Sequence, residues 1–429
     1  MRTMQSAVKL RGWVQAVVAV ALVSVIAACG GGGGGDSSSS SNSSSTTLNG
    51  GSLPASPTQQ PIAATAANTV AITVGRGVNG VINIPTVSVT VCPPGTTSNC
   101  QTINNIQVDT GSFGLRLVSS VLNSSLLNGG LPISTLSGAQ LAECATFADG
   151  FTWGTVRTAT IQIGGETTAS PIPIQIIGDS AAGAAPSGCG SGSAENTATD
   201  LGANGILGIG TAPTDCGATC STPSTATNYS NYFTCGTSCA RATVPLSQQV
   251  ANPVAKFTAD NNGVIVQMPP VSNTGAASAT GTLVFGIGTQ SNNALAATQT
   301  FTTDAFGNMN NSVFNGTTVQ AFFDSGSNAY FFADSSLAQC GSNFAGFYCP
   351  SSAQTRSITL GGLSSTRASA SIGILSASTL FSNTSNYAFN DLAGQIGGNS
   401  SFDLGLPFFY GRYMYYGFAT STQAPYVGF

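Results

Sequence analysis

The chain contains no histidine. Ser-His and Cys-His nucleophilic catalysis, His-ligated zinc hydrolysis and acid-base work by imidazole are thereby excluded together. Any hydrolytic chemistry must rest on carboxylates, hydroxyls or the rare lysine. Charge is scarce too: charged residues make up 6% of 429, with 11 basic and 15 acidic side chains and a formal net charge of -4. The basic residues form no patch, so nucleic acid is not an expected partner. The periodic Lys, Glu, Leu and Ala runs of a helical bundle are also missing. Abundant instead are glycine (53 residues) and small polar residues, the composition of a β-rich, loop-rich chain. Its length suits about two globular units.

Of the few acidic residues, two sit in matching surroundings. Ile106-Gln107-Val108-Asp109-Thr110-Gly111-Ser112-Phe113-Gly114 has a second copy in Ala321-Phe322-Phe323-Asp324-Ser325-Gly326-Ser327-Asn328-Ala329. Each is an apolar strand delivering one aspartate into a hydroxyl-Gly-Ser turn. A single copy reads as an ordinary hairpin turn. Two copies with the same flanking strand and the same following serine point to a paired-carboxylate site, one member acting as general base and the other as general acid. Full charges about 4 Å apart at an effective dielectric near 20 repel by roughly 4 kcal/mol, so such a pair shares one proton.

These two motifs resemble those of the pepsin-like aspartic peptidases, in which each of two lobes contributes one Asp-Thr/Ser-Gly-Thr/Ser loop. The resemblance extends over about residues 80–429. Asn204-Gly205-Ile206-Leu207-Gly208-Ile209-Gly210 is similar to the hydrophobic-hydrophobic-Gly segment of the family's first lobe. Phe402-Asp403-Leu404-Gly405 is similar to that of the second, with Asp403 an unexpected member. Gly281 to Gly288 is similar to the strand closing the first lobe.

The resemblance implies an all-β, bilobal fold related by a pseudo-twofold axis, with a few short helices. It implies Asp109 and Asp324 as the catalytic dyad, using neither cofactor nor metal. Thr110 and Ser325 would brace the loops, Gly111 and Gly326 present amides beside the carboxylates, and Ser112 and Ser327 bond the outer oxygens. Phe147-Ala148-Asp149-Gly150 falls at the family's substrate-covering flap, with Phe147 where a tyrosine is usual and Arg116 where a tryptophan is usual. Asp-Gly between such strands is a strong hairpin signal. Asp149 and Gly150 either bind an extended substrate by strand addition or form a plain turn.

Ahead of the lobes, residues 1–28 read as a signal peptide: Arg2, Lys9 and Arg11 form the basic region and Val14 to Ala28 the apolar one. Ile26-Ala27-Ala28-Cys29 resembles a bacterial lipoprotein box, in which Cys29 becomes acylated, and Gly30 after it implies the outer membrane of a Gram-negative cell envelope. The chain is also similar to a group of bacterial lipoproteins. Residues 29–69, rich in Gly, Ser and Thr, are expected to be a disordered tether. The first lobe should then span 70–290 and the second 291–429.

Ten cysteines remain after Cys29. Cys92 and Cys100 are expected to close a hairpin. Cys144 and Cys189 flank the flap and are paired, and Cys340 and Cys349 follow the second aspartate turn, where the resemblance implies a bridge. Cys216, Cys220, Cys235 and Cys239 are spaced as a zinc site or as two disulfides. Export favours disulfides, and their connectivity stays open.

The reading is a membrane-tethered aspartic endopeptidase, monomeric, acting on polypeptide in the cleft between the lobes. Its rival is an inactive binding protein on the same scaffold, holding peptide or glycan. Arg116, Phe147 and Asp403, departures from the family pattern, keep the rival open beside the preferred peptidase.

Overall fold

Alternating apolar residues make the strands, and the strands make two sheets. The computed structural model describes residues 51–190 and 192–429. The signal peptide, Cys29 and the tether up to residue 50 lie outside the described residues. An 18-stranded sheet gathers strands from Thr69–Val74 through Thr300–Thr302, together with Tyr413–Gly417 and Tyr426–Gly428. A 7-stranded sheet holds every strand from Met309–Phe314 to Ser401–Gly405. Among the described residues helices are short, the longest α-helix being Pro223–Tyr229 with 7 residues. The fold is all-β and bilobal, as the sequence implied.

The two lobes use one local plan. In the first, Gln101–Asp109 pairs in parallel with Gly205–Ile209, setting Asp109 opposite Gly208. Phe113–Val118 leaves the aspartate turn and pairs antiparallel with the other edge of that segment. In the second, Thr317–Asp324 pairs in parallel with Ser401–Gly405, setting Asp324 opposite Gly405, and Tyr330–Phe332 returns antiparallel. This register explains the glycine closing each hydrophobic segment. A Cβ on Gly208 would sit 2.6 Å from Phe113 N, and one on Gly405 would sit 2.1 Å from Ala329 O. The aspartate loop passes too close for a side chain.

The first sheet takes strands from both sides of residue 290. The aromatic strand Tyr413–Gly417, expected in the second lobe, lies between Gly263–Gln267 and Tyr426–Gly428 in the first sheet. Thr300–Thr302 pairs with Tyr426–Gly428 there as well. The 7-stranded sheet thus covers only the middle of the second half. Phenylalanines pack this region: Phe332 stacks on Phe402 at 4.7 Å and Phe323 on Phe408 at 5.2 Å.

Residues 51–68, expected as the end of the tether, are laid along the protein instead. Leu53 is buried against Phe331, Ala353 and Leu375. The Gln59 amide donates to Gly411 O (3.0 Å), and the Ile62 amide to Gln267 Oε1 (2.9 Å). Low complexity hid two apolar anchors and an extended backbone that edge groups can pair.

All ten expected half-cystines are bridged: Cys92–Cys100, Cys144–Cys189, Cys216–Cys220, Cys235–Cys239 and Cys340–Cys349. The four cysteines left open by the sequence form two local disulfides. Five disulfides mark an extracellular or periplasmic protein. Among the described residues, no helix is long and apolar enough to cross a membrane.

Candidate active site

The two aspartate turns grip each other through four hydrogen bonds. The Thr110 amide donates to Ser325 Oγ (3.1 Å) and the Ser325 amide to Thr110 Oγ1 (2.8 Å). Thr110 Oγ1 donates onward to Phe323 O (3.2 Å) and Ser325 Oγ to Val108 O (2.8 Å). Each hydroxyl thus accepts from the opposite loop and donates to the carbonyl just before the opposite aspartate. A threonine in one loop and a serine in the other satisfy the same pattern.

Within each loop the carboxylate is held by its own turn. Gly111 N–H donates to Asp109 Oδ1 (3.0 Å) and Ser112 Oγ to Asp109 Oδ2 (2.6 Å). Gly326 N–H donates to Asp324 Oδ1 (2.7 Å), and Ser327 Oγ lies 2.9 Å from Asp324 Oδ2. The turns also meet carboxyl to backbone: a Cβ on Gly111 would lie 2.5 Å from Asp324 Cγ. Both aspartates are fully buried. Asp109, Asp324, Thr110, Gly111, Ser112, Ser325, Gly326 and Ser327 lie together in this one network.

Three residues assigned no role in the site from sequence complete the floor. Gln107 Nε2 donates across the lobes to Gly326 O (3.0 Å). Tyr416 donates to Phe323 O (3.1 Å), the carbonyl that also receives Thr110. Burial pushes the Tyr416 phenol well up, the Thr110 hydrogen bond opposes this, and Asp324, Asp109 and Asp403 add to it. It therefore stays a neutral donor. Asp403, noted in the sequence only as a departure, places Oδ2 2.6 Å from Ser327 Oγ. Its only signal was a carboxylate inside an apolar strand.

Arg116 is held inside the first lobe. It is buried, with Nη2 2.6 Å from Glu143 Oε1 and 3.3 Å from Asp215 Oδ2, and Nη1 donating to Phe113 O at 2.7 Å. Tyr232 donates to Asp215 Oδ1 (2.5 Å). Burial holds the Glu143 carboxyl well above the usual range; Arg116 opposes this and Asp215 reinforces it. The guanidinium thus anchors an internal polar cluster with Glu143, Asp215 and Tyr232.

The flap is the expected hairpin, with Ala139–Thr146 and Gly150–Ile163 antiparallel. Phe147 at its turn is half-buried and packs against Val118, Ile177, Leu201 and Ile206. The edge offered for strand addition at Gly150 is already occupied. Ser193–Ala194 pairs in parallel with Gly150 and Phe151, and Glu195 N–H donates to Phe151 O (2.8 Å). A Cβ on Gly150 would lie 2.4 Å from Ser193 O. Asp149 belongs to this covered turn.

Two lobes that close matching Asp-hydroxyl-Gly-Ser turns on each other define the class of pepsin-like folds. The chain belongs to the family described as a protein of unknown function, DUF3443, whose model matches residues 64–429. A similar solved structure is the aspartic proteinase from Irpex lacteus, with 16% identity, coverage of 85% of this chain and 97% of that one, and a TM-score of 0.48. At that distance the likeness carries no inference about activity. No curated protein matches.

Proposed function

We propose that the chain is an aspartic endopeptidase of the cell envelope, anchored through a lipid on Cys29. The observation that supports it most is the reciprocal Thr110 and Ser325 grip, which delivers Asp109 and Asp324 to one place with matching donors. One carboxylate polarises a water for attack on a peptide carbonyl. The other, protonated, donates first to the developing gem-diol and then to the leaving nitrogen. The amides of Gly111 and Gly326 and the hydroxyls of Ser112 and Ser327 are preorganised donors to the ionised form, so little rearrangement accompanies the proton's movement. Polypeptide is the substrate, and neither metal nor cofactor has a part in the steps.

The covered flap edge favours the second reading, a binding protein that keeps both aspartates without cleaving its peptide or glycan ligand. Incubating the protein lacking its signal with an unfolded protein between acid and neutral pH separates the two. Cleavage blocked by a statine-type inhibitor and abolished by Asp324→Asn supports the peptidase. No cleavage at any pH, or cleavage indifferent to the substitution, supports the binding protein. Fatty-acid labelling in cells, lost on Cys29→Ser, tests the anchor.

A further inference from the structure

Register places Asp403 opposite Phe322, two residues before Asp324, as Ile206 stands opposite Gln107, two residues before Asp109. The second lobe therefore carries a carboxyl where the first carries an aliphatic side chain. Asp403 is fully buried, and its neighbours Phe402 and Leu404 belong to the hydrophobic core. Burying a carboxyl in such a strand is costly unless it is neutral or well bonded.

Ser327 Oγ lies between two carboxyls, 2.6 Å from Asp403 Oδ2 and 2.9 Å from Asp324 Oδ2. A serine hydroxyl has one proton and can donate once. Both contacts are of hydrogen-bond length, so each needs a proton between its oxygens. The chain Asp324–Ser327–Asp403 thus holds a second proton, resident on one of the two carboxyls. In the first lobe Ser112 Oγ donates to Asp109 Oδ2 (2.6 Å), and the position matching Asp403 is an isoleucine, Ile206.

We propose that Asp403 is a positioning residue and proton store for Asp324, acting through Ser327; this rests on the peptidase reading. When Asp324 is ionised, Asp403 holds the proton and donates to Ser327 Oγ, while Ser327 donates to Asp324 Oδ2. When Asp324 needs the proton, the O–H bond at Asp403 breaks as one forms at Ser327 Oγ. The original Ser327 O–H breaks as one forms at Asp324 Oδ2. Asp403 is left as the carboxylate accepting from Ser327, total charge is unchanged and no outside acid is consumed. Asp324, Asp109 and Asp403 all act on the buried phenol of Tyr416, which raises its affinity for its proton.

The test compares the parent with Asp403→Asn, which keeps shape and a donor but cannot carry a proton. Infrared spectra at neutral pH should show one protonated-carboxyl stretch in the parent that the variant lacks. Identical spectra overturn the proposal. In peptide cleavage the alkaline limb of kcat should move to lower pH by about one unit, with KM unchanged. Ser327→Ala cuts the same chain from the other side and should move that limb alike, which keeps the test open if the Asn variant does not fold. Superimposable profiles overturn the relay. A parent without cleavage overturns the peptidase reading instead, and the infrared comparison still decides where the proton sits.

Discussion

Gly111 brings the two halves into close approach, its amide serving Asp109 while its Cα faces the carboxyl of Asp324. A methyl there would lie 2.7 Å from both Asp324 oxygens. Gly111→Ala must therefore displace a carboxyl. A shift near 1 Å is expected to lower kcat/KM by about 100-fold, with a stability loss of roughly 1–3 kcal/mol. Cleavage kinetics beside a denaturant titration check it, and near-parent turnover would show that this contact does not set the dyad. The aspartate turns were legible because each motif is contiguous and repeated. Their partners were not: Ser327 and Asp403 are 76 residues apart, Phe323 and Tyr416 are 93, and Gln107 and Gly326 are 219. Pairs so far apart leave no local pattern, and a buried glutamine reads like any other polar residue.

At the level of elements, the flap is less a free hairpin than one layer of a bridged assembly. Cys144 on its first strand is joined to Cys189, shortly before the residues that pair with Gly150 and Phe151. The sequence showed the Asp-Gly hairpin and the bridge, but not the two-residue strand laid along its tip. So short a parallel pairing has no periodicity to detect. Closing a 45-residue separation restricts the unfolded chain by roughly 4 kcal/mol in the loop-entropy picture. Replacing both cysteines with serine should cost stability of that order. It should also speed amide exchange at Glu195, whose N–H bonds Phe151 O. Unaltered exchange there would mean that the strand, not the disulfide, holds the flap. Arg116 belongs to this scale too: its partners lie 27 and 99 residues on. Its position in the motif suggested the cleft, whereas its charge required partners that only the folded lobe supplies.

Across the whole molecule, the few charges include buried carboxyls that resist ionisation, and this makes stability depend on pH. Burial pushes Asp391 up to about 7. Its carboxyl rests against Gly373, in a small cavity roofed by Pro54, Ala55 and Pro57. Glu143 is shifted the same way, again mainly by burial. A carboxyl whose folded value is raised binds more protons in the native state than in the unfolded chain. Its contribution is complete below the ordinary carboxylate range and disappears as pH rises through the folded value. For Asp391, a rise from 3.8 to about 7 corresponds to roughly 4 kcal/mol lost between acid and neutral pH. Urea midpoints should accordingly fall over that interval. Asp391→Asn, neutral at every pH, should remove the part of the decline due to Asp391 and leave the part due to Glu143. A variant as pH-sensitive as the parent would show that Asp391 is ionised in the native protein. Acid stability of this kind suits a fold whose proposed chemistry needs a proton kept between two carboxylates, because the conditions that preserve that proton also favour the native state.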